Sequence, residues 1–122
     1  MTAFVANVTF DCDDPYALAE FWSKVTGRPI AEEDKPGDEV VDVALDGDLN
    51  LVFIKVPEPK TVKNRVHVCL RPDGTTRDVE LNHLLELGAK IVANHREPDG
   101  TSWTVFVDPE GNEFCLLRGL GQ

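Results

Sequence analysis

Four residues scattered along this 122-residue chain have the types that do chemistry together: Asn7, Asn50, His67 and Glu113. His67 and Glu113 are the sharper pair. An imidazole and a carboxylate suit a borderline divalent ion. Without a metal they make an acid/base couple, since an imidazole titrates near neutral pH and a neighbouring carboxylate raises its pKa. They are therefore the candidate catalytic residues and also the candidate metal ligands, although two donors are an incomplete set. Asn7 and Asn50 offer only carboxamides, which are neutral, weak donors to such an ion. A plain lining of a binding surface, without chemistry, stands beside both readings.

Period-two alternation is what would bring these residues together. In a strand at 65–71, Val66, Val68 and Leu70 form the apolar set, which leaves His67, Cys69 and Arg71 opposite. A strand at 4–11 sorts Ala6, Val8 and Phe10 from Asn7, Thr9 and Asp11. Residues 49–56 place Leu49, Leu51 and Phe53 inward and Asn50, Val52 and Ile54 outward. In a strand at 113–118, Phe114 and Leu116 pack while Glu113, Cys115 and Leu117 face away. The face so defined adds Thr9, Val52, Cys69, Arg71 and Cys115 as candidate ligand-binding residues. Arg71 could hold a ligand carboxylate, and Trp103, at a strand start, could stack on a ring. Core packing or a dimer contact is the plainer role for Trp103. Trp22 reads as core, and His83 and His95 as solvent-facing.

The strands belong to a repeat. After the first strand, Asp14 suits a helix N-cap and Pro15 the first helical position. Leu18, Phe21, Trp22 and Val25 recur at helical spacing, and Gly27 closes the helix. Short strands are expected near 29–34, 39–46 and 49–56. Pro57-Glu58-Pro59-Lys60 is too proline-rich to continue a sheet and reads as a linker over 57–64. The order then recurs: a strand, a helix at 77–87 with Val79, Leu81, Leu84, Leu85 and Leu87, and strands near 89–96, 102–108 and 113–118. Pro98-Asp99-Gly100 and Asp108-Pro109-Glu110-Gly111-Asn112 are turns; in the second, Pro109 presets φ and Gly111 supplies a positive one. Asn7 corresponds to His67, Gly27 to Gly88 and Asn50 to Glu113. The expected fold is thus a single α+β domain of two βαβββ modules, about 1–57 and 65–120. They would form a curved mixed sheet around a concave trough, with the helices on the outer face.

Composition narrows the partners. A net charge of −10 argues against nucleic acid and anionic membranes, which require basic patches. Residues 1–60 hold 13 acids against 5 bases, so most of the excess lies in Glu32, Glu33, Asp34, Asp38, Glu39, Asp42, Asp46 and Asp48. A solvated, solubilising edge accounts for that run. No apolar run reaches the roughly 20 residues of a membrane helix, and no secretory signal is visible, so the expectation is cytoplasmic. Cys12, Cys69 and Cys115 fit neither a CxxC metal pattern nor a disulfide framework and read as free buried thiols. Asp46-Gly47-Asp48-Leu49-Asn50 opens like a calcium loop but lacks its glycine and closing glutamate. No phosphate loop, GxSxG elbow or Cys/His nucleophile pattern is present.

The doubled βαβββ order, Ala19-Glu20-Phe21-Trp22 in a helix ending at Gly27, and Asp108-Pro109-Glu110-Gly111-Asn112-Glu113-Phe114 together resemble the vicinal oxygen chelate superfamily. That superfamily includes glyoxalase I, bleomycin-resistance proteins and extradiol dioxygenases. The resemblance is to its short glyoxalase-like domain proteins and covers nearly the whole chain. It implies a homodimer that binds a small molecule and a lyase- or isomerase-type activity. In metal-dependent members four trough positions hold a divalent ion such as Zn, Ni, Mn or Fe. Carried over, those positions are Asn7, Asn50, His67 and Glu113. With carboxamides at two of them, the expectation is a small-molecule-binding protein without a complete metal site and without a cofactor. The alternatives are a metal-dependent lyase, isomerase or dioxygenase using His67 and Glu113, and a bleomycin-resistance-like sequestering protein.

Overall fold

A computed structural model describes residues 1–99 and 101–120. Gly100, the last residue of the expected Pro98-Asp99-Gly100 turn, lies outside them. The chain divides into two compact units, Met1–Lys60 and Thr61–Gln122.

The first unit contains β1 (Asn7–Cys12), α1 (Pro15–Thr26), β2 (Val40–Ala44) and β3 (Asn50–Lys55). Its sheet runs β1-β3-β2, with β1 parallel and β2 antiparallel to the central β3. The strand expected at 29–34 is reduced to a single bridge between Ile30 and Val43. The acids of that stretch explain why. The Asp34 carboxylate accepts the Asp42 N–H at 2.8 Å, and Asp38 accepts the Lys35 N–H at 2.9 Å. Local side-chain bonds of this kind replace a ladder, so part of the acidic run shapes a loop besides solvating an edge.

Helix α1 starts and stops where its sequence dictates. The Asp14 carboxylate accepts the Ala17 N–H, Pro15 follows it, and Gly27 ends the helix at φ +71°. Its buried stripe of Leu18, Ala19, Phe21 and Trp22 packs on β2 and β3. Phe10 lies 5.4 Å from Trp22 and 5.1 Å from Phe53, ring centre to ring centre, so one face of this sheet is aromatic core.

The second unit contains β4 (Val68–Leu70), α2 (Arg77–Glu86), β5 (Lys90–Arg96), β6 (Ser102–Val107) and β7 (Glu113–Leu117). Its sheet runs β4-β7-β6-β5, with only the β4–β7 pair parallel. The strand expected at 65–71 is shorter, and Val66, expected to pack inward, is 82% exposed. Helix α2 also buries less than its leucines suggest. Val79 and Leu85 are exposed, whereas Leu84 and Arg77 are buried. Arg77 ties the start of the helix to the sheet by donating to Thr104 Oγ1 at 2.7 Å, and that hydroxyl donates to Asn94 Oδ1 at 2.7 Å. A buried guanidinium survives because it is hydrogen-bonded. Both units thus follow the βαβββ order, and the mixed α+β class holds, with one strand of the first unit reduced to a bridge.

Candidate functional site

Each sheet has one face packed against its helix and one face turned away, and the candidate residues fall on the latter. In the first unit the parallel register pairs Asn7 with Asn50, and Thr9 with Val52, while Asp42 of β2 lies on the other side of Val52. Asn7 and Thr9 are exposed and Asn50 half-buried, whereas Val52 is only 8% exposed although it lies opposite the aromatic core. Alternation did not single out Asp42, whose signal was submerged in the acidic run. Partial burial raises its carboxyl pKa above 3.8, and the charges of Asp34 and Glu33 raise it further.

A carboxyl with a raised folded-state pKa binds more protons folded than unfolded. Stability is then lost as pH climbs from 3.8 through the folded value, and the cost persists at neutral pH. Asp42→Asn is therefore expected to flatten the pH dependence of the urea midpoint in that window and to stabilise the fold modestly at pH 7. An unchanged pH profile in the variant would remove Asp42 as its source.

In the second unit the candidate residues gather on and beside β4 and β7. β7 is central to the site, because β4 lies parallel on one side and β6 antiparallel on the other. Cys69 pairs with Cys115, Cys115 with Val105, Glu113 with Val107, and Leu117 with Trp103. His67 immediately precedes β4 and shares the face of Cys69. The possible ligand atoms of His67, Cys69 and Cys115 all lie within 4.8 Å of one another. Among the described residues this is the group of three or more His, Cys, Asp or Glu side chains placed to hold an ion, and Glu113 is not part of it. Cys115 is buried, while His67 and Cys69 are exposed. The expectation of three buried thiols is thus corrected at Cys69, which stands on the surface of a short edge strand. Burial pushes the Cys115 thiol pKa up, and Cys69 adds to the rise against a smaller opposing pull from Lys63.

Glu113 is positioned by backbone. Its Oε1 accepts the Asn64 N–H at 3.0 Å, and the Asn64 side chain reaches Asn112 Oδ1 at 3.4 Å. Asn64 lies in the segment read as linker, where period-two reasoning has nothing to sort. Asn112 in turn donates to both carboxylate oxygens of Asp108 at 3.2 and 3.0 Å. The turn before β7 therefore fixes both where Glu113 enters the sheet and what its carboxylate holds.

The other candidates are committed to neighbours. Arg71 donates to the Arg118 carbonyl at 2.7 Å, which anchors its guanidinium at the end of β7. Trp103 is half-buried and stacks on His95, centroids 4.8 Å apart and planes 15° apart, so His95 is partnered rather than merely solvated. His83 likewise has Glu80 Oε1 3.2 Å from its Nδ1.

The four positions of the metal-dependent pattern do not make a strong cage. The first unit supplies two adjacent carboxamides, and one oxygen of the Glu113 carboxylate already accepts a backbone N–H. The donor chemistry of Asn7, Asn50, His67 and Glu113 does not fit a tightly held divalent ion.

The sequence pattern of the Glyoxalase-like domain family matches residues 7–117. No curated protein sequence matches the chain. Among solved structures, a glyoxalase/bleomycin resistance protein/dioxygenase family enzyme from Burkholderia phytofirmans PsJN superposes with a TM-score of 0.74 at 18% identity, covering 94% of this chain and 98% of that one. The lactoylglutathione lyase of Agrobacterium tumefaciens gives 0.66 at 18% identity, covering 96% and 94%. A mutant of the fosfomycin resistance protein FosX from Listeria monocytogenes, complexed with Mn(II) and 1S,2S-dihydroxypropylphosphonic acid, gives 0.74 at 13% identity, covering 99% and 94%. At such identities the likeness concerns the fold. No helix among the described residues is long and apolar enough to cross a membrane.

Proposed function

The chain belongs to the Glyoxalase-like domain family, and from that premise we propose that it binds a small, partly apolar molecule on the helix-free face of the β4-β7-β6 sheet, with a lyase- or isomerase-type proton transfer as its chemistry. The observation that carries this reading is the register. It sets Cys69, Cys115, Val105, Glu113, Val107, Leu117 and Trp103 on one face, beside His67. The face mixes apolar side chains with a few polar ones, as small-molecule sites do. Glu113, held by the Asn64 N–H, is the base, since a carboxylate fixed by backbone is already oriented when a substrate arrives. His67 is the partner that returns or relays the proton. Trp103, backed by His95, offers a ring for an apolar or planar part of the ligand. Asn7, Thr9, Asn50 and Val52 line the helix-free face of the first unit's own sheet, and the proposal takes them as binding residues there. No step is assigned to a metal, because the family's four positions here are a poor ligand set.

The reading includes a cytoplasmic homodimer. Cys69 and Cys115, neighbours that are thiols and not a disulfide, suit a reducing compartment. Phe4, Val5, Val62 and Val66 are large exposed apolar residues that a second copy would cover. Sedimentation velocity of the full chain tests the assembly, and a monomer at every concentration rejects it.

Two probes from the chemistry named for the structural neighbours, S-lactoylglutathione and fosfomycin, test binding and turnover together. Binding is read by calorimetry and conversion by NMR. Saturable binding of a probe is expected, weakened by Trp103→Ala. Glu113→Gln and His67→Ala should slow any conversion by roughly 100-fold or more, the contribution of a positioned acid or base. Conversion that survives both variants unchanged overturns the assigned roles.

A further inference from the structure

His67, Cys69 and Cys115 have a use beyond that reading. We infer that they form a binding site for a thiophilic d10 metal ion, with Zn2+ as its physiological class, in which two thiolates and one imidazole are the protein ligands and the fourth position is open to water or a ligand. Cys69 and Cys115 have no proton-transfer role in the ligand-binding reading, whereas His67 can serve only one of the two roles at a time, so metal loading is expected to suppress any conversion that depends on His67.

Geometry comes first. Cys69 and Cys115 are direct partners on parallel neighbouring strands, and His67 lies two residues before Cys69 on the same face. All three donor atoms fall within 4.8 Å of one another. Tetrahedral zinc, with bonds of about 2.3 Å to sulfur and 2.0–2.1 Å to nitrogen, needs donors about 3.6–3.8 Å apart. The donor atoms thus have to close by at most about 1.2 Å, within reach of side-chain rotation. Strand register supplies the rest of the order, since two of the three ligands are cross-strand neighbours held by the β4–β7 ladder.

Ligand chemistry points the same way. Two sulfurs and an imidazole select a soft or borderline ion over Mg2+, Ca2+ or Mn2+, which prefer oxygen. Two cysteines and one histidine with an exchangeable fourth position is a catalytic-type zinc ligand count rather than a closed structural one. Burial of Cys115 at one end and exposure of His67 and Cys69 at the other leave the open position towards solvent. On binding, each thiol gives its proton to the buffer as its sulfur bonds the metal; no electron is transferred, and no oxidant is required.

The test uses the full chain, reduced, stripped with chelator and handled without oxygen, titrated with Co2+ as the optical probe and then with Zn2+. The inference expects one Co2+ per chain, a thiolate-to-cobalt charge-transfer band in the near ultraviolet, and loss of that band as Zn2+ displaces cobalt. Cys69→Ser, at an exposed position that tolerates the change, is expected to remove much of the band and weaken binding by at least about tenfold, with Cys115→Ser doing the same. Glu113→Gln should leave the band and the affinity intact, which separates this site from the role proposed for Glu113. Cobalt bound without a charge-transfer band, a band undiminished in both serine variants, or no binding would each overturn the inference. Binding abolished by Glu113→Gln but retained in both serine variants would overturn it too, and would place a metal at the His67–Glu113 pair instead.

Discussion

Trp22→Ala is expected to cost about 3–5 kcal/mol of folding stability, the range for removing a fully buried large aromatic. Trp22 is 1% exposed, packs edge-on against Phe21 at 5.5 Å and touches the Phe10 ring, which itself meets Phe53. A hole at that point lies between α1 and the sheet, where collapse would have to move a helix as well as side chains. Against the roughly 5–15 kcal/mol that holds a domain folded, the loss is large enough to populate unfolded chain. Urea unfolding followed by far-ultraviolet circular dichroism measures it. A shift below about 1 kcal/mol would mean that α1 is held by something other than its aromatic contact.

Asp108→Ala is expected to cost about 3 kcal/mol or more, for a different reason. The side chain is only 4% exposed, and Oδ1 accepts the N–H groups of Glu110 and Asn112, both at 2.9 Å. Both oxygens also take the Asn112 side-chain amide. The turn is closed on the backbone by Gly111 N–H to Asp108 O and by Asp108 N–H to Asn112 O, each 2.9 Å, with Gly111 at φ +86°. Alanine would leave buried donors without an acceptor, which costs about 1–3 kcal/mol for each such group. Asp108→Asn keeps one acceptor oxygen and should lose roughly half as much, since charge-assisted bonds are about twice as strong as neutral ones. The consequence reaches the site, because Asn112 and Glu113 are the partners of Asn64. Ligand affinity should therefore fall in Asp108→Ala beyond what lost folding explains. Equal stability in wild type and Asp108→Ala would show that the backbone bonds alone hold the turn.

Much of this architecture was legible because it depends on local chemistry. Asp14, Pro15 and Gly27 announced both ends of α1, and each does in the structure what its side chain or backbone suits it for. Asp108-Pro109-Glu110-Gly111 announced the hairpin for the same reason. Alternation placed Phe10, Phe53 and Phe114 on the helix-facing sides of their sheets, where all three have aromatic partners, Phe53 and Phe114 fully buried and Phe10 half-buried. It also set Cys69 and Cys115 on one face, which the register makes neighbours.

Competition from side-chain bonds and distant partners was not legible. The residues at 29–34 have strand-like spacing, but the Asp34 and Asp38 carboxylates take backbone N–H groups and divert the chain. Val66 continues the alternation of β4 in sequence, yet β4 ends its pairing with β7 at Val68, so nothing covers that side chain among the described strands. Helix α2 was read from its leucines, of which Leu84 is buried, while the Arg77 guanidinium also ties it to Thr104. Asn64 carried no signal at all, because its role depends on where Glu113 lands 49 residues later. A mechanism that depends on such pairings has to be read from the folded chain.

Amide-shift mapping of the 15N-labelled full chain tests the proposed binding face most directly, using whichever of S-lactoylglutathione and fosfomycin binds more tightly. The account predicts saturable shifts concentrated at Cys69, Cys115, Glu113 and the backbone and indole N–H groups of Trp103, and their weakening in Trp103→Ala. Saturable binding that moves residues of α1 or α2 while those four positions stay still would contradict it.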